Sequence, residues 1–176
     1  MTPQSSRVLV IGAAGQVGRE LVAELGRRGT LEVVAASRSD PDPDRQVQLE
    51  RPETIERLIG AVRPDHVILT AAATDVAWCE DHPDESRVVN VLGTEAAARA
   101  AGGVGASFTF ISTDYVFDGL SGPYGEDDAT NPLNVYGAHK LSAEGAVMAA
   151  DAANLVVRTC QVFGDDPRRT NFVFWP

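Results

Sequence analysis

Lysine is nearly missing from this 176-residue chain: 15 residues are Lys or Arg, and all of them except Lys140 are arginine. Positive charge is scarce altogether, with 25 Asp and Glu giving a formal net charge of −10. No basic run or Arg-rich face interrupts that deficit, which argues against nucleic acid as a partner. Cysteine is limited to Cys79 and Cys160. Their positions lack metal-ligand or redox spacing, so no metal is expected, and a reducing, cytoplasmic setting is. Long apolar runs are missing too. The run near the N-terminus reaches Val8 to Gly12 at most, too short for a signal peptide's apolar region. No stretch approaches the ~20 residues of a membrane span, so no membrane partner is expected. Repeats and low-complexity segments are absent. What remains is an acidic chain, 44% apolar, long enough for one domain with a real core but not for two. Residues 1–176 are therefore expected to form a single domain.

Within it, strand and helix patterns alternate. "RVLVI" (7–11) reads as a strand buried on both faces of a parallel sheet. After "GAAGQVG" comes a helix with Val17, Leu21 and Leu25 on one stripe, stopping near Gly29. Further strands are expected at 31–37, 47–49, 66–70, 106–112 and 154–159. Helices are expected from Pro52, from about Glu85 to Ala101, and over the segment carrying Tyr136 and Lys140. This rhythm predicts an α/β doubly wound parallel sheet of Rossmann type, whose ligand lies where strand order reverses.

Gly12, Gly15 and Gly18 lie directly after the first strand and at the mouth of a helix. A tight turn there lets backbone N–H groups and the positive helix end approach a pyrophosphate, which a side chain would block. The alternative is an ordinary glycine-rich turn, because a bare glycine triad is weak evidence. At the end of the second strand, where an acid would select NAD, stand Ser37 and Arg38. A guanidinium can pair with a 2′-phosphate. NADPH is therefore the expected cofactor, with NADH as the alternative; otherwise Arg38 is a solvated surface charge.

Tyr136 and Lys140 are spaced i, i+4 and project from one helix face. A cation beside the phenol favours the phenolate and pulls its pKa down from about 10, towards the range of a working acid or base. A compact ammonium can also donate to ribose hydroxyls, which offers a reason for lysine where every other cation is arginine. The alternative is a surface pair. Ser112 and Thr113, at the mouth of the fifth expected strand, could hydrogen-bond a carbonyl oxygen or simply cap the strand end. "GPYGEDD" reads as a solvated loop. His66, His82 and His139 show no metal spacing, and Trp78 reads as a packed loop aromatic.

"GAAGQVG", "STDYVFDG", "PYGEDDATNPLNVYGAHKLSAEGAV", "VVRTCQVFG" and "NFV" together resemble the dTDP-4-dehydrorhamnose reductase family of extended short-chain dehydrogenase/reductases. The resemblance implies a catalytic set of Thr113, Tyr136 and Lys140. It puts Gly15, Gln16 and Val17 on the pyrophosphate, lines the cofactor with Ala71, Ala72 and Ala73, and gives Thr113 and Asp114 to the sugar. Under it Tyr136 and Lys140 also contact the cofactor. The implied reaction is NADPH-dependent reduction of the 4-keto group of dTDP-4-dehydro-6-deoxy-L-mannose, a nucleotide-sugar substrate, to dTDP-L-rhamnose. Three places depart from the family pattern: Thr70 for Asn, Ala77 for Asp, and Cys160-Gln161 where an aromatic contact is common. Family members continue well past "NFVFWP", so the resemblance implies truncation before the C-terminal substrate lobe. It allows a homodimer without requiring one. It also extends to the regulatory β subunit of methionine adenosyltransferase, which leaves a non-catalytic NADP-binding protein, or an inactive fragment, as alternatives.

Overall fold

The structure is a computed structural model describing residues 5–151 and 153–164; the "NFV" string lies outside them. Five parallel strands form one sheet: β1 (Ser6–Ile11), β2 (Leu31–Ala36), β3 (His66–Leu69), β4 (Ser107–Thr113) and β5 (Leu155–Thr159). Their spatial order is β2-β1-β3-β4-β5. Strand order therefore reverses between β1 and β3, the place where doubly wound sheets bind ligands. The register is continuous there, with Val8 opposite Val33 on one side and His66 on the other.

Helices α1 (Gln16–Arg28), α2 (Pro52–Val62), α3 (Val76–Asp81), α4 (Pro83–Arg87), α5 (Gly93–Gly103) and α6 (Val135–Ala150) connect the strands. The core gathers Leu9, Ile11, Val67, Leu69, Phe108 and Phe110 from the strands with Ile55, Leu58 and Ile59 from α2. Helix α5 adds Ala96, Ala97, Ala98 and Ala101. Such short side chains let that helix lie close to its neighbours. Burial of this kind, at roughly 25 cal/mol per Å² of apolar surface, is what drives the fold together.

Two expectations need correction. The strand at 47–49 does not form, and β2 is the sheet edge. A single parallel bridge, Ser37 to Gln46, marks where it would have paired. Beyond it the Thr54 hydroxyl bonds both Gln48 N–H (3.0 Å) and Gln48 C=O (3.1 Å), replacing the ladder. Val47 and Leu49 are buried all the same; their apolar character signalled burial rather than pairing. Nor is the 85–101 helix uniform. It begins at Pro83, and a π-helical turn at Val88–Leu92 separates α4 from α5.

Helix α2 closes on Arg63, a non-glycine residue in the left-handed region (φ 46°, ψ 60°). A Cβ is disfavoured there, and glycine is the usual solution. Arg63→Gly is expected to raise stability by about 0.5–1 kcal/mol, read as a higher urea midpoint at unchanged slope. A lower midpoint would show that the arginine side chain matters more than the backbone.

Candidate active site

The C-terminal ends of β1, β3 and β4 build one edge of the sheet. After β1 the chain turns through Gly12 with φ +100°, and Gly12 and Ala13 both donate to the Ala36 carbonyl (2.9 and 3.0 Å). A Cβ on Gly12 would stand 2.5 Å from Ala71 N, and one on Gly18 2.2 Å from the Gly12 carbonyl. Glycine is thus required both for the turn and for seating α1 against it. Gly15 caps α1 with no side-chain hydrogen bond, and no acid occupies the first turn of that helix. The first N–H groups of Gln16, Val17 and Gly18 are left without a side-chain cap, at the positive end of a 13-residue helix. That cradle fits a pyrophosphate.

Ser37 is buried, and its backbone is engaged with Arg45 and Val47. Arg38 is exposed, and its guanidinium pairs with Glu50 at 2.8 Å. An exposed ion pair contributes only about 0–1 kcal/mol, so a 2′-phosphate can compete for it.

From β3 the strip Thr70–Ala73 runs beneath the glycine turn. Thr70 and Ala71 donate backbone N–H groups to the Ile11 carbonyl (2.9 and 3.2 Å), and the Thr70 hydroxyl joins them at 3.1 Å. Ala73 is then clamped from both sides by the buried amide of Asn90, which accepts from Ala73 N (2.9 Å) and donates to Ala73 O (2.9 Å). Asn90 stands on the π-helical turn, and the irregular helix is what aims it. It also donates to Ser86 Oγ (3.3 Å), which is paired with His139 of α6 (3.0 Å). Sequence reasoning missed Asn90. The available signal was a polar residue on the buried face of "RVVNVLGT".

Thr113 ends β4, and its hydroxyl accepts from Tyr115 N (3.2 Å), so it caps the following turn. The same hydroxyl draws the pKa of the Tyr136 phenol downward. Ser112 points elsewhere, donating to Glu144 at 2.5 Å inside the protein. Asp114 is exposed beside Thr113, within 3.3 Å of its hydroxyl. Asn134 starts α6 by accepting from Gly137 N (2.7 Å).

Lys140 is no surface residue: it is 2% exposed, donates to the Ile111 carbonyl at 2.6 Å and lies 3.9 Å over the Phe110 ring. Burial draws its pKa down to about 7, opposed by the charge of Glu144. Tyr136 is pushed up to about 12, chiefly by burial, with the Thr113 hydroxyl pulling the other way. The expected lowering of the phenol by the lysine is therefore not what this arrangement does. The ammonium is committed to β4, and Tyr136 stays a neutral phenol, the form that can donate a proton.

Bordered by Asp114 and Asn134, the neighbours of the ends of β4 and α6, lies a cavity of about 360 Å³, lined also by Tyr115, Phe117, Tyr124 and Leu133. "GPYGEDD" is the solvated loop expected, except that Tyr124 turns in to line this cavity. Tyr124 stacks on Phe117 (4.3 Å) and donates to Asp118 (2.6 Å), which also accepts from Leu120 N. Trp78 lies on α3 and stacks on His82. His66 bonds Thr109 at 2.9 Å on the sheet, away from this edge. Among the described residues no group of His, Cys, Asp or Glu is placed to hold a metal ion, and no helix is long and apolar enough to cross a membrane.

Fold and site together define a doubly wound dinucleotide-binding sheet with a hydroxyl, a phenol and a buried lysine at its ligand edge. The chain belongs to the RmlD substrate binding domain family, whose model matches residues 6–175. It is 42% identical over 168 residues to dTDP-4-dehydrorhamnose reductase of Burkholderia thailandensis, an alignment covering 95% of this chain and 53% of that protein. It is 34% identical over 166 residues to methionine adenosyltransferase 2 subunit beta of Xenopus laevis, covering 94% and 49%. The crystal structure of dTDP-4-dehydrorhamnose reductase from Bacillus anthracis in complex with NADP superposes with a TM-score of 0.87 at 30% identity, covering 98% of this chain and 59% of that one. The chain thus spans about half the length of the curated relatives it matches.

Proposed function

We propose that the chain carries the NADPH site and proton-donating machinery of a nucleotide-sugar reductase, acting on the 4-keto group of dTDP-4-dehydro-6-deoxy-L-mannose to give dTDP-L-rhamnose. One observation carries this reading: Thr113 at the end of β4, Tyr136 at the start of α6 and the buried Lys140 gather on the sheet edge that holds the glycine turn. Gly12, Gly15, Gln16, Val17 and Gly18 would hold the pyrophosphate, Ala71, Ala72 and Ala73 would line the cofactor, and Ser37 and Arg38 would meet the 2′-phosphate. Bound there, NADPH supplies the hydride. Thr113 fixes the ketone oxygen, and Tyr136 gives its proton to that oxygen as negative charge develops on it. A phenol that stays protonated at neutral pH suits the reducing direction. Lys140, seated on the Ile111 carbonyl by one N–H, would turn its remaining donors to the ribose hydroxyls, and Asp114 would face the sugar.

A second reading draws on the 34% identity to the methionine adenosyltransferase subunit: an NADP-binding protein that regulates a partner enzyme. Mixing the chain with NADPH and the dTDP-linked keto sugar separates the two. Oxidation of NADPH with formation of dTDP-L-rhamnose supports the first. A folded chain that binds NADPH and turns over nothing, yet associates with a methionine adenosyltransferase, supports the second.

A further inference from the structure

One turn beyond Lys140, on the same face of α6, a second charged side chain is withdrawn from water. Glu144 is 6% exposed. Its carboxylate accepts from Ser112 Oγ on β4 (2.5 Å) and from Arg158 Nε and Nη2 on β5 (3.0 and 2.7 Å). Arg158 also donates to the Glu126 carbonyl (3.0 Å) and lies 5.2 Å from the Phe117 ring, so the same node grips the cavity wall. Ser112 directly follows Ile111, whose carbonyl receives the lysine ammonium. Two neighbouring β4 residues are thus tied to two α6 residues one turn apart. A buried ion pair of this kind is weak evidence of stabilisation in itself, since desolvation offsets much of the attraction.

We propose that Glu144, anchored by Ser112 and Arg158, is a positioning residue for Lys140, the counter-charge that holds the buried ammonium on β4. The proposal deepens the reading of Lys140 as part of a cofactor site and rests on it for its functional meaning. The surroundings support it. The titratable or charged groups on the packed elements are Tyr136, His139 and Glu144 on α6, Glu95 and Arg99 on α5, and Cys79, Glu80 and Asp81 on α3. Asp84, Glu85 and Arg87 on α4, Asp114 and Tyr115 after β4, and Arg158 on β5 complete the set. Of these, Glu144 is the one that opposes the effect of burial on Lys140.

Lys140 is the sole lysine, so a chain grown on ¹³C-labelled lysine shows one side-chain εCH₂ signal, whose pH titration belongs to that residue. Measured without cofactor, it is independent of whether NADPH binds. In Glu144→Gln the midpoint is expected to fall by about one pH unit relative to the wild type, because the anion is gone and the Arg158 cation is unmasked. In Arg158→Gln it is expected to rise, because the anion then acts alone. A purely structural role for Glu144 predicts the opposite sign in Glu144→Gln, since a loosened site lets water reach the ammonium and returns it towards the ordinary lysine value. An unchanged or raised midpoint in folded Glu144→Gln overturns the proposal. Should that variant not fold, an unchanged or lowered midpoint in folded Arg158→Gln does so.

Discussion

A Tyr136→Phe chain is expected to bind NADPH as the wild type does and to reduce the keto sugar at least ~100-fold more slowly, the usual loss when a positioned general acid is removed. The change deletes one oxygen from a largely buried ring, which keeps its edge-to-face contact with Tyr115 at 6.1 Å. Thr113 remains bound to Tyr115 N. Fold and cofactor affinity therefore have little reason to change, and the loss should fall on kcat. A rate within a few-fold of the wild type would assign the proton to another donor. A parallel loss of NADPH binding would instead make the hydroxyl a cofactor contact.

The second large effect has the opposite sign for stability. Lys140→Met should abolish tight NADPH binding and at the same time stabilise the cofactor-free chain by about 1–4 kcal/mol near pH 6, as replacement of buried charge by a packed apolar residue often does. Glu144 is not orphaned by the change, because it keeps Ser112 and Arg158. The lysine's folded-state pKa, about 7, lies below its unfolded value of about 10.4. Between those values the unfolded chain binds more protons, so wild-type stability rises with pH across the window. The advantage of the methionine variant should accordingly be greatest below about pH 7 and shrink towards pH 10. Urea unfolding at pH 6 and pH 9 reads this directly. A methionine variant less stable at pH 6 would show that the Ile111 carbonyl and the Phe110 ring more than offset the desolvation of the ammonium.

These two predictions show where sequence reading reaches. The alternation of strands and helices, the glycine turn after β1 and the i, i+4 spacing of Tyr136 and Lys140 are periodicities, and the structure places them as read. The strand expected at 47–49 failed because Thr54, a side chain some residues away, satisfies the Gln48 backbone; no local pattern announces such a substitution. Asn90 was hidden for a similar reason, since its orientation depends on a π-helical turn within an otherwise ordinary helical run. The relation between lysine and phenol was misjudged because spacing gives a common face but not a partner. The ammonium found the Ile111 carbonyl, and burial, not the cation, dominates the phenol. Glu144 was legible as one more residue on that face, but its role depends on Arg158, which arrives from β5.

We propose that this chain's own glycine turn and lone lysine make an NADPH site. Titrating NADPH into the lysine-labelled chain tests it most directly. The single lysine signal is expected to move in a saturable way and its titration midpoint to rise, because a bound anionic cofactor favours the charged ammonium. A folded chain whose lysine signal is untouched by NADPH at saturating concentration would contradict the account.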